Sequence, residues 1–386
     1  MNQKRTIAVV TSSRADYSHL YWPLRELQAH PDVDLKLIVM GSHLSPEFGL
    51  SAEEIQKDGI AIAASVETLL SSDTDIGMAK SIGIGVLSLT DLLGRIRPDI
   101  LLLIADRYEL LAAASVALAL RIPIAHIEGG EISEGAIDDA VRNAITKMSH
   151  IHFTSTAAAR ARVISMGEEP WRVHRAGAPS LDHLMRSKLR TRKDLEMELK
   201  LDLSKPSMIV AYHPVTIARD TTYETSALFE ALAERSEQIL FCYPNADAGS
   251  RSIIEKTRKF LGAVATGRIF VNLNAVVYWS LLANVDLMVG NSSSGIMETA
   301  SLALPTVNVG ARQFGREHAR NVLDARAEKQ SILEKIEEAR SICFKPSLEG
   351  MTNPYGDGHA AERIVEILTS VPLGSDLLRK RVSKPE

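Results

Sequence analysis

Acidic side chains follow two neighbouring apolar runs in the N-terminal half of the chain. Asp106 comes after Ile100–Ile104, and Glu128 comes after Ile124–Ile127. Because the carboxyl ends of adjacent parallel strands meet at one edge of a sheet, we expect both carboxylates to face one ligand. Paired acids in a cleft are a common way to separate general-acid and general-base roles. Asp139 opens the next predicted helix, where the helix dipole favours an acid for structural reasons as well.

A serine-rich turn in the second half has the features of a phosphate site. Asn291-Ser292-Ser293-Ser294-Gly295 follows the predicted strand Leu287–Val289 and opens a helix, so its hydroxyls and free N–H groups suit a diphosphate. Glu298 lies about one turn further on and can accept hydrogen bonds from both hydroxyls of a ribose. Arg312 follows the next strand and can close over the phosphates. The alternative is an ordinary N-cap supplied by Ser294 alone.

Two further positions at predicted strand ends carry groups that suit phosphate or proton transfer. Arg14 lies in the first βα turn, beside the N-terminus of a predicted helix, although a capped turn with a surface arginine fits equally well. His213 ends the predicted strand Met208–Tyr212, where it serves either proton transfer, phosphate pairing or structure. Neither GxGxxG in the first turn nor a GxxxxGK[ST] motif is present, which argues against a dinucleotide enzyme and a kinase.

Predicted strands and helices, which position these residues, alternate along the whole chain. Short apolar runs separated by amphipathic stretches predict parallel sheets flanked by helices. Seven strands are predicted in the first series, near Thr6–Val10, Asp34–Met40, Ile60–Ala64, Ile100–Ile104, Ile124–Ile127, Ile151–Thr154 and Val173–Ala176. A charged helical stretch, Ser187–Leu203, then leads into a second series with strands near Met208–Tyr212, Gln238–Phe241, Ile269–Val271, Leu287–Val289 and Thr306–Val309. The pattern predicts an α/β chain of two Rossmann-like, doubly wound domains facing a cleft.

Composition narrows the class of protein. The chain has 386 residues, 45% hydrophobic and 24% charged, with a formal net charge of −4. Nothing in that charge balance indicates nucleic acid as a partner. The longest apolar stretch that we identify, Leu110–Leu120, is too short for a bilayer, and the N-terminus lacks a signal-peptide pattern, so we expect a cytoplasmic protein without a membrane span. Two cysteines and scattered histidines predict neither a disulfide framework nor a metal site.

Several motifs in this order resemble the hydrolysing UDP-N-acetylglucosamine 2-epimerases, over about Arg5 to Leu368. They are Ser13-Arg14-Ala15-Asp16-Tyr17-Ser18, Gly41-Ser42-His43-Leu44, Asp106-Arg107, His126-Ile127-Glu128-Gly129-Gly130-Glu131, Ile137-Asp138-Asp139, His213-Pro214-Val215-Thr216, Asn245 with Asp247-Ala248-Gly249-Ser250, Asn291-Ser292-Ser293, Arg312-Gln313 with Gly315-Arg316-Glu317, and Tyr355-Gly356-Asp357-Gly358. Gly129-Gly130-Glu131 favours the hydrolysing branch over the non-hydrolysing one. One departure is Ala105, where relatives usually have glycine.

The resemblance implies a GT-B fold with an N-terminal domain over residues 1–180, completed by a C-terminal helix at about 360–386, and a UDP-binding domain over 181–359. It also implies that UDP is contacted at Arg14, Ser18, Arg107, Asn245, Ser292, Ser293, Glu298 and Arg312. Functional residues around the sugar are implied at Asp106, Glu128, Asp139 and His213. Relatives form dimers or tetramers, so a homodimer or homotetramer is expected.

Chemistry follows from the same resemblance. We expect anti elimination of UDP to 2-acetamidoglucal, then syn addition of water, giving N-acetylmannosamine and UDP without a cofactor or metal. Inversion at C2 removes a proton from one face and returns one on the other, which explains the need for several carboxylates. The alternative substrate is UDP-N,N′-diacetylbacillosamine. A GT-B glycosyltransferase and a non-catalytic sugar-nucleotide sensor fit less well, because neither needs acids on both faces of the sugar.

Overall fold

Two parallel β-sheets organise the chain in the computed structural model, which describes residues 4–263 and 267–381. The first sheet has seven strands and the second has six. In chain order the strands are β1 (Arg5–Thr11), β2 (Val33–Met40), β3 (Ile62–Val66), β4 (Ile100–Ile104), β5 (Ile124–Ile127), β6 (Ile151–Thr154), β7 (Val173–Arg175), β8 (Ser207–Ala211), β9 (Gln238–Cys242), β10 (Gly267–Phe270), β11 (Leu287–Gly290), β12 (Thr306–Val309) and β13 (Val322–Ala325).

Helices connect the strands on both faces of each sheet. Those within the described ranges are α1 (Arg14–Ala29), α2 (Ala52–Lys57), α3 (Asp75–Ile96), α4 (Leu110–Leu120), α5 (Asp138–Met148), α6 (Ala157–Ser165), α7 (Asp182–Arg186), α8 (Arg192–Leu199), α9 (Thr225–Leu232), α10 (Ser250–Ala263), α11 (Ala275–Leu282), α12 (Ser294–Met297), α13 (Lys329–Arg340), α14 (Phe344–Ser347), α15 (Ala360–Ser370) and α16 (Ser375–Leu378).

The chain divides into two units that are discontinuous in sequence. The N-terminal unit contains the chain up to Glu131, the segment Asp138–Met185 and the chain from Tyr355 onward. The C-terminal unit contains Ile132–Ile137 and Arg186–Pro354. Each sheet lies within one unit, so each unit has its own set of strand ends at which side chains can gather.

Both sheets have the strand order of a doubly wound fold. The order is β3-β2-β1-β4-β5-β6-β7 in the N-terminal unit and β10-β9-β8-β11-β12-β13 in the C-terminal unit. The winding direction reverses between β1 and β4 in the first sheet and between β8 and β11 in the second. Every residue of β4 and β5 is buried, as expected for strands covered by helices on both faces. The predicted α/β class is confirmed.

The last helices complete the apolar core of the N-terminal unit. Ile364 and Leu368 of α15 belong to the same buried cluster as Leu20 and Leu24 of α1. The buried carboxylate of Asp182 accepts hydrogen bonds from the backbone N–H groups of Ala360 at 2.9 Å and Ala361 at 2.8 Å. These bonds satisfy two of the donors that a helix N-terminus leaves unpaired, so the start of α15 is anchored as well as its apolar face.

Arg172 fixes the segment after α15 in the same unit. Its fully buried guanidinium donates to the carbonyl oxygens of Leu377 at 2.8 Å, Asp376 at 3.0 Å and Arg379 at 2.9 Å. It also donates to the carbonyl oxygen of His150 at 3.1 Å, beside β6. A buried arginine is costly unless its donors are paired, and here three of its partners belong to the last described turn of the chain.

Within the described ranges, α3 is the one helix long and apolar enough to cross a membrane by length and composition alone. The sequence did not indicate this helix as a membrane span, because its apolar residues are spread over 22 positions instead of forming one block. Leu89 and Leu93 of α3 pack in one core cluster with Leu110 and Ala117 of α4. The most apolar 18-residue window is 28% buried, which identifies α3 as a partly buried core helix.

Candidate active site

Most of the predicted site residues lie where the winding of a sheet reverses. Arg14 follows β1 and Asp106 follows β4 in the N-terminal unit, while His213 follows β8 and Ser292 follows β11 in the C-terminal unit. Ligands of doubly wound sheets bind in the crevice outside the carboxyl ends of the strands at this point. Each unit therefore brings its candidate residues to the edge at which such folds bind ligands.

A capping box fixes the start of α1. The Asp16 backbone N–H donates to the Ser13 hydroxyl at 3.3 Å, and the Asp16 carboxylate accepts from the Ser13 N–H at 3.1 Å. Burial raises the pKa of Asp16, against the charge of Arg107 and the serine hydrogen bonds, which lower it. Arg14 is the first residue of the helix and Ser18 lies about one turn later. Both are half-buried on an anchored helix end.

Arg107 follows β4, and its guanidinium forms an ion pair with Glu109, two residues further along the chain. Its Nη2 donates to Glu109 Oε1 at 3.0 Å, and both side chains are buried. The guanidinium carbon also lies 5.3 Å from the centre of the Tyr108 ring, within the range of a cation–π contact. A buried cation held this firmly is preorganised to act on a nearby charge. Its predicted contact with UDP stays a prediction.

Arg142 joins two of the predicted acids. Its Nη2 donates to Asp106 Oδ2, and its Nη1 donates to Asp139 Oδ1 at 3.3 Å and to the carbonyl oxygen of Glu131 at 2.8 Å. The arginine side chain is 1% exposed, while the carboxylates of Asp106 and Asp139 are 20% and 31% exposed. One buried cation therefore holds two partly accessible carboxylates at the same edge of the N-terminal sheet.

Glu128 reaches the same edge from the end of β5. Its N–H donates to the carbonyl oxygen of Phe153 at 2.7 Å, and its φ of 63° lies in the left-handed region that non-glycine residues rarely adopt. The side chain is 4% exposed, and Oε1 lies 2.7 Å from Nδ1 of His19 on α1. A strained backbone held by a tight hydrogen bond is a feature found at functional sites.

Ala105 has the same unusual backbone as Glu128, one strand away. Its φ is 58°, and it immediately precedes Asp106. The ring of His126 lies beneath this turn, with Nε2 2.8 Å from the Ala105 carbonyl oxygen and Nδ1 3.2 Å from the Thr146 hydroxyl. Burial lowers the pKa of His126 to about 3, so the ring is neutral near pH 7. At these two adjacent strand ends, a residue with left-handed backbone therefore changes the direction of the chain where it carries an acidic side chain.

In the C-terminal unit, Asn291 links the ends of β8 and β11. The His213 N–H donates to Asn291 Oδ1 at 2.7 Å, and Asn291 Nδ2 donates to the His213 carbonyl oxygen at 2.9 Å. The Asn245 N–H donates to His213 Nδ1 at 3.3 Å. The predicted residues His213 and Asn245 are therefore brought together, and the tautomer with hydrogen on Nε2 leaves that nitrogen as the donor of the ring.

The approach of these two strands depends on Gly290. Its φ is 143°, and a Cβ there would meet the Ala211 carbonyl oxygen at 2.0 Å. Any other residue would force β8 and β11 apart. Glycine at this position therefore permits the Asn291 to His213 contact.

The serine-rich turn is shaped by hydrogen bonds in both directions. Arg312 Nη1 and Gln313 Nε2 donate to the Asn291 carbonyl oxygen at 3.1 and 2.9 Å. The Ser294 hydroxyl donates to Glu298 Oε2 and lies 2.7 Å from the Tyr278 hydroxyl. Ser293 occupies the N-cap position of α12 without a side-chain cap bond. Ser294 is thus engaged with Glu298, which is buried, and does not act as the simple N-cap considered above.

Several partners of the predicted site residues and of the serine-rich turn were not themselves predicted, among them His19, Arg142 and Tyr278. Asn291 was noted only as the first residue of the serine-rich turn. Arg142 lies three residues after Asp139 on one helix, so an i,i+3 ion pair was a readable signal. The contact between His19 and Glu128 spans 109 residues of chain, and no local pattern indicates it. No group of three or more potential metal ligands occurs in the part of the chain that the structure describes.

Comparison with known proteins gives a family match over most of the chain. The model of the family described as UDP-N-acetylglucosamine 2-epimerase matches residues 25–369.

Curated relatives match nearly the whole length. A UDP-N,N′-diacetylbacillosamine 2-epimerase (hydrolyzing) from Legionella pneumophila is 38% identical, covering 97% of this chain and 98% of the relative. A GDP/UDP-N,N′-diacetylbacillosamine 2-epimerase (hydrolyzing) from Campylobacter jejuni is 35% identical, covering 89% of both chains. A UDP-N-acetylglucosamine 2-epimerase from Neisseria meningitidis is 32% identical, covering 95% of both.

Solved structures show the same fold at lower sequence identity. UDP-N-acetylglucosamine 2-epimerase from Neisseria meningitidis, bound to UDP-N-acetylglucosamine, matches with a TM-score of 0.79 and 20% identity, covering 94% of this chain and 99% of that one. The enzyme of the same name from Methanocaldococcus jannaschii, with UDP-N-acetylglucosamine and UDP, matches with a TM-score of 0.73 and 17% identity, covering 94% and 99%. The predicted GT-B-like fold is confirmed.

Proposed function

The chain belongs to the UDP-N-acetylglucosamine 2-epimerase family and is a hydrolysing nucleotide-sugar 2-epimerase, and we propose that its substrate is UDP-N,N′-diacetylbacillosamine. The observation that carries the substrate is the 38% identity to the Legionella enzyme of that name over 97% of this chain. The second candidate is UDP-N-acetylglucosamine, the substrate first expected from the family resemblance. It is supported by the relative from Neisseria meningitidis at 32% identity.

The two carboxylate-bearing strand ends support the proposed first step. A carboxylate of the N-terminal unit takes the proton from C2 of the sugar, and the C2–H electron pair forms the C1=C2 bond. The bond from C1 to the diphosphate oxygen breaks, and UDP leaves with that electron pair. Asp106, Glu128 and Asp139 are the proposed residues for proton transfer and for stabilising positive charge at C1, with the first acceptor left open between them.

Water completes the reaction. Its oxygen bonds to C1, one of its protons passes to a carboxylate, and a proton is added to C2 on the face opposite the one that lost it. The balance is nucleotide sugar plus water giving the free 2-epimer plus UDP. An acid on each face of the sugar allows one group to remove a proton and another to return it, and no redox step is involved.

In this proposal the C-terminal unit supplies positive potential, which favours the negative charge on the departing diphosphate. Ser292 and Ser293 form the turn that precedes α12, and the buried Arg312 lies against it. N–H groups and a cation at this turn suit a diphosphate. His213 is assigned to the leaving diphosphate and Glu298 to the ribose. Asn245 is the remaining predicted UDP contact of this unit, and Arg14, Ser18 and Arg107 are the predicted UDP contacts of the N-terminal unit. We assign to these residues the stabilisation of the negative charge that develops on UDP as it leaves.

Proton NMR in heavy water tests the proposal. The purified chain is incubated with each of the two nucleotide sugars, and the Glu128→Gln variant is the matched control. We expect UDP-N,N′-diacetylbacillosamine to yield its free 2-epimer carrying deuterium at C2, with stoichiometric UDP. Exclusive turnover of UDP-N-acetylglucosamine would overturn the substrate and keep the reaction. Release of UDP with the C2 proton retained would overturn the elimination mechanism.

A further inference from the structure

His19 is the partner of the Glu128 carboxylate. It is the sixth residue of α1, its Nδ1 lies 2.7 Å from Glu128 Oε1, and the two side chains are 16% and 4% exposed. We propose that His19 is a positioning residue that fixes Glu128 for proton transfer to or from the sugar. The inference rests on the proposed function, since it assumes that Glu128 takes part in the reaction.

Both ends of the contact are held by the N-terminal unit. Leu20 and Leu24 bury α1 in the core, and the capping box at Ser13 fixes its start. The Ser18 carbonyl oxygen accepts a hydrogen bond from His183 Nε2 at 3.0 Å, one residue before His19. On the other side, the Glu128 backbone is held in its left-handed conformation at the end of β5. The imidazole therefore meets the carboxylate from a fixed direction.

The chemistry of the pair decides which atom carries hydrogen. An ionised carboxylate only accepts hydrogen bonds, so Nδ1 is the donor whether the ring is neutral or charged. Hydrogen bonds to ionised groups are roughly twice as strong as neutral ones. Holding Oε1 removes rotation of the terminal carboxylate group. With Oε1 engaged by His19, Oε2 is the oxygen assigned to the substrate.

This arrangement divides the work between the two oxygens. Oε2 exchanges the proton with the sugar, and His19 exchanges no atom with it. His19 is then expected to influence the rate of proton transfer and the orientation of Glu128, and to leave the nucleotide-binding residues of the C-terminal unit unaffected.

Two substitutions distinguish a hydrogen-bonding role of His19 from a role that needs only the volume of its ring. His19→Phe keeps a flat ring without a donor, whereas His19→Asn places an amide Nδ2 near the position of Nδ1 and restores the hydrogen bond. We expect Phe to lower kcat at least tenfold, with the Kd for UDP within about twofold of wild type. The kinetic isotope effect with C2-deuterated substrate should rise, and Asn should recover most of kcat. His30→Phe, at the end of the same helix, is the control and should keep wild-type kcat.

Several results would overturn the inference. A purely structural role predicts a lower melting temperature with unchanged kcat and isotope effect per folded molecule. Equal impairment of the Phe and Asn variants, or wild-type kcat in both, would likewise overturn it while the proposed function stands. If wild type turns over neither nucleotide sugar, the proposed function fails. The nitrogen-15 NMR spectrum of the His19 ring then decides the pairing, since a bare Nδ1, or no response to Glu128→Gln, overturns it.

Discussion

His213 and Asn291 exchange two hydrogen bonds across the ends of neighbouring strands: the His213 N–H donates to Asn291 Oδ1 at 2.7 Å, and Asn291 Nδ2 donates to the His213 carbonyl oxygen at 2.9 Å. The amide is fully buried. It therefore fixes the backbone of the predicted leaving-group histidine and the first residue of the serine-rich turn at the same time.

Replacing Asn291 by Ala should weaken UDP binding at least tenfold. The two backbone groups of His213 would lose their buried partners, and the turn would lose its register against β8. Asn291→Asp should weaken UDP binding further, because it adds a negative charge near the proposed diphosphate site. Titration calorimetry with UDP gives the affinities. Asn321→Ala is the control, since Asn321 is equally buried and bonded to Thr299 and Leu304 within the same unit. An equal loss in that variant would indicate general destabilisation.

Glu128→Gln should abolish turnover and leave the affinity for UDP largely intact. The amide keeps the shape of the side chain but cannot take a proton as a carboxylate does. Steady-state kinetics and UDP titration measure the two effects. Glu67→Gln, at an exposed position after β3, is the matched control and should behave as wild type. Turnover of the Glu128 variant within about tenfold of wild type, ~1.4 kcal/mol of barrier, would remove Glu128 from the mechanism.

Arg142→Lys should lower kcat at least tenfold while the protein remains folded. The planar guanidinium holds Asp106 and Asp139 together, whereas an ammonium cannot reproduce that forked geometry. Arg142→Met should be worse for kcat and should also lower the free energy of unfolding, because two partly exposed carboxylates lose their shared buried cation. Kinetics and urea unfolding distinguish the variants. Wild-type kcat in Arg142→Lys would show that the acids need no shared partner.

Strands and helices could be predicted from the sequence where the local residue pattern agrees with the tertiary environment. β4 and β5 were predicted with their observed bounds, because an unbroken apolar run matches a strand buried on both faces. β13 was not predicted, since Val322–Ala325 is short and includes Asp324. α1 begins at Arg14, which was predicted to lie in the turn before the helix, although the Ser13 to Asp16 capping box was present in the sequence.

The candidate site was readable only in part. Asp106, Glu128 and His213 were expected after strand ends, and the structure has them after β4, β5 and β8, because parallel topology alone determines those positions. Their roles stay predictions. The partners of Glu128 and His213 come from distant segments, and local spacing carries no information about them. The positive φ values at Ala105 and Glu128 were equally hidden, because neither residue type indicates left-handed backbone.

Acid should destabilise the fold through its buried histidines. Burial lowers the pKa of His43 and His126 to about 3 and that of His150 to about 4. In the unfolded chain these rings take up protons below about pH 6.5, so stability falls as the pH drops through that value. The cost at pH 5 is on the order of 2 kcal/mol for each ring.

Urea unfolding between pH 7.5 and 5 measures this dependence. The slope should correspond to uptake of more than one proton on unfolding, and His43→Gln should reduce the uptake. A free energy of unfolding that stays constant over this range would contradict the prediction.

α15 returns to the first strand of the N-terminal unit: Arg5 Nη1 donates to the Leu368 carbonyl oxygen at 2.5 Å, across 363 residues of sequence. At the usual rate of about 5–20 residues per second, α15 leaves the ribosome tens of seconds after α1. The leucines of α1 that α15 covers stay exposed for that time, while the strands of the C-terminal unit are already made. The apolar face of α1 therefore lacks its partner helix through most of synthesis, and the core of the N-terminal unit is completed only when α15 has been made.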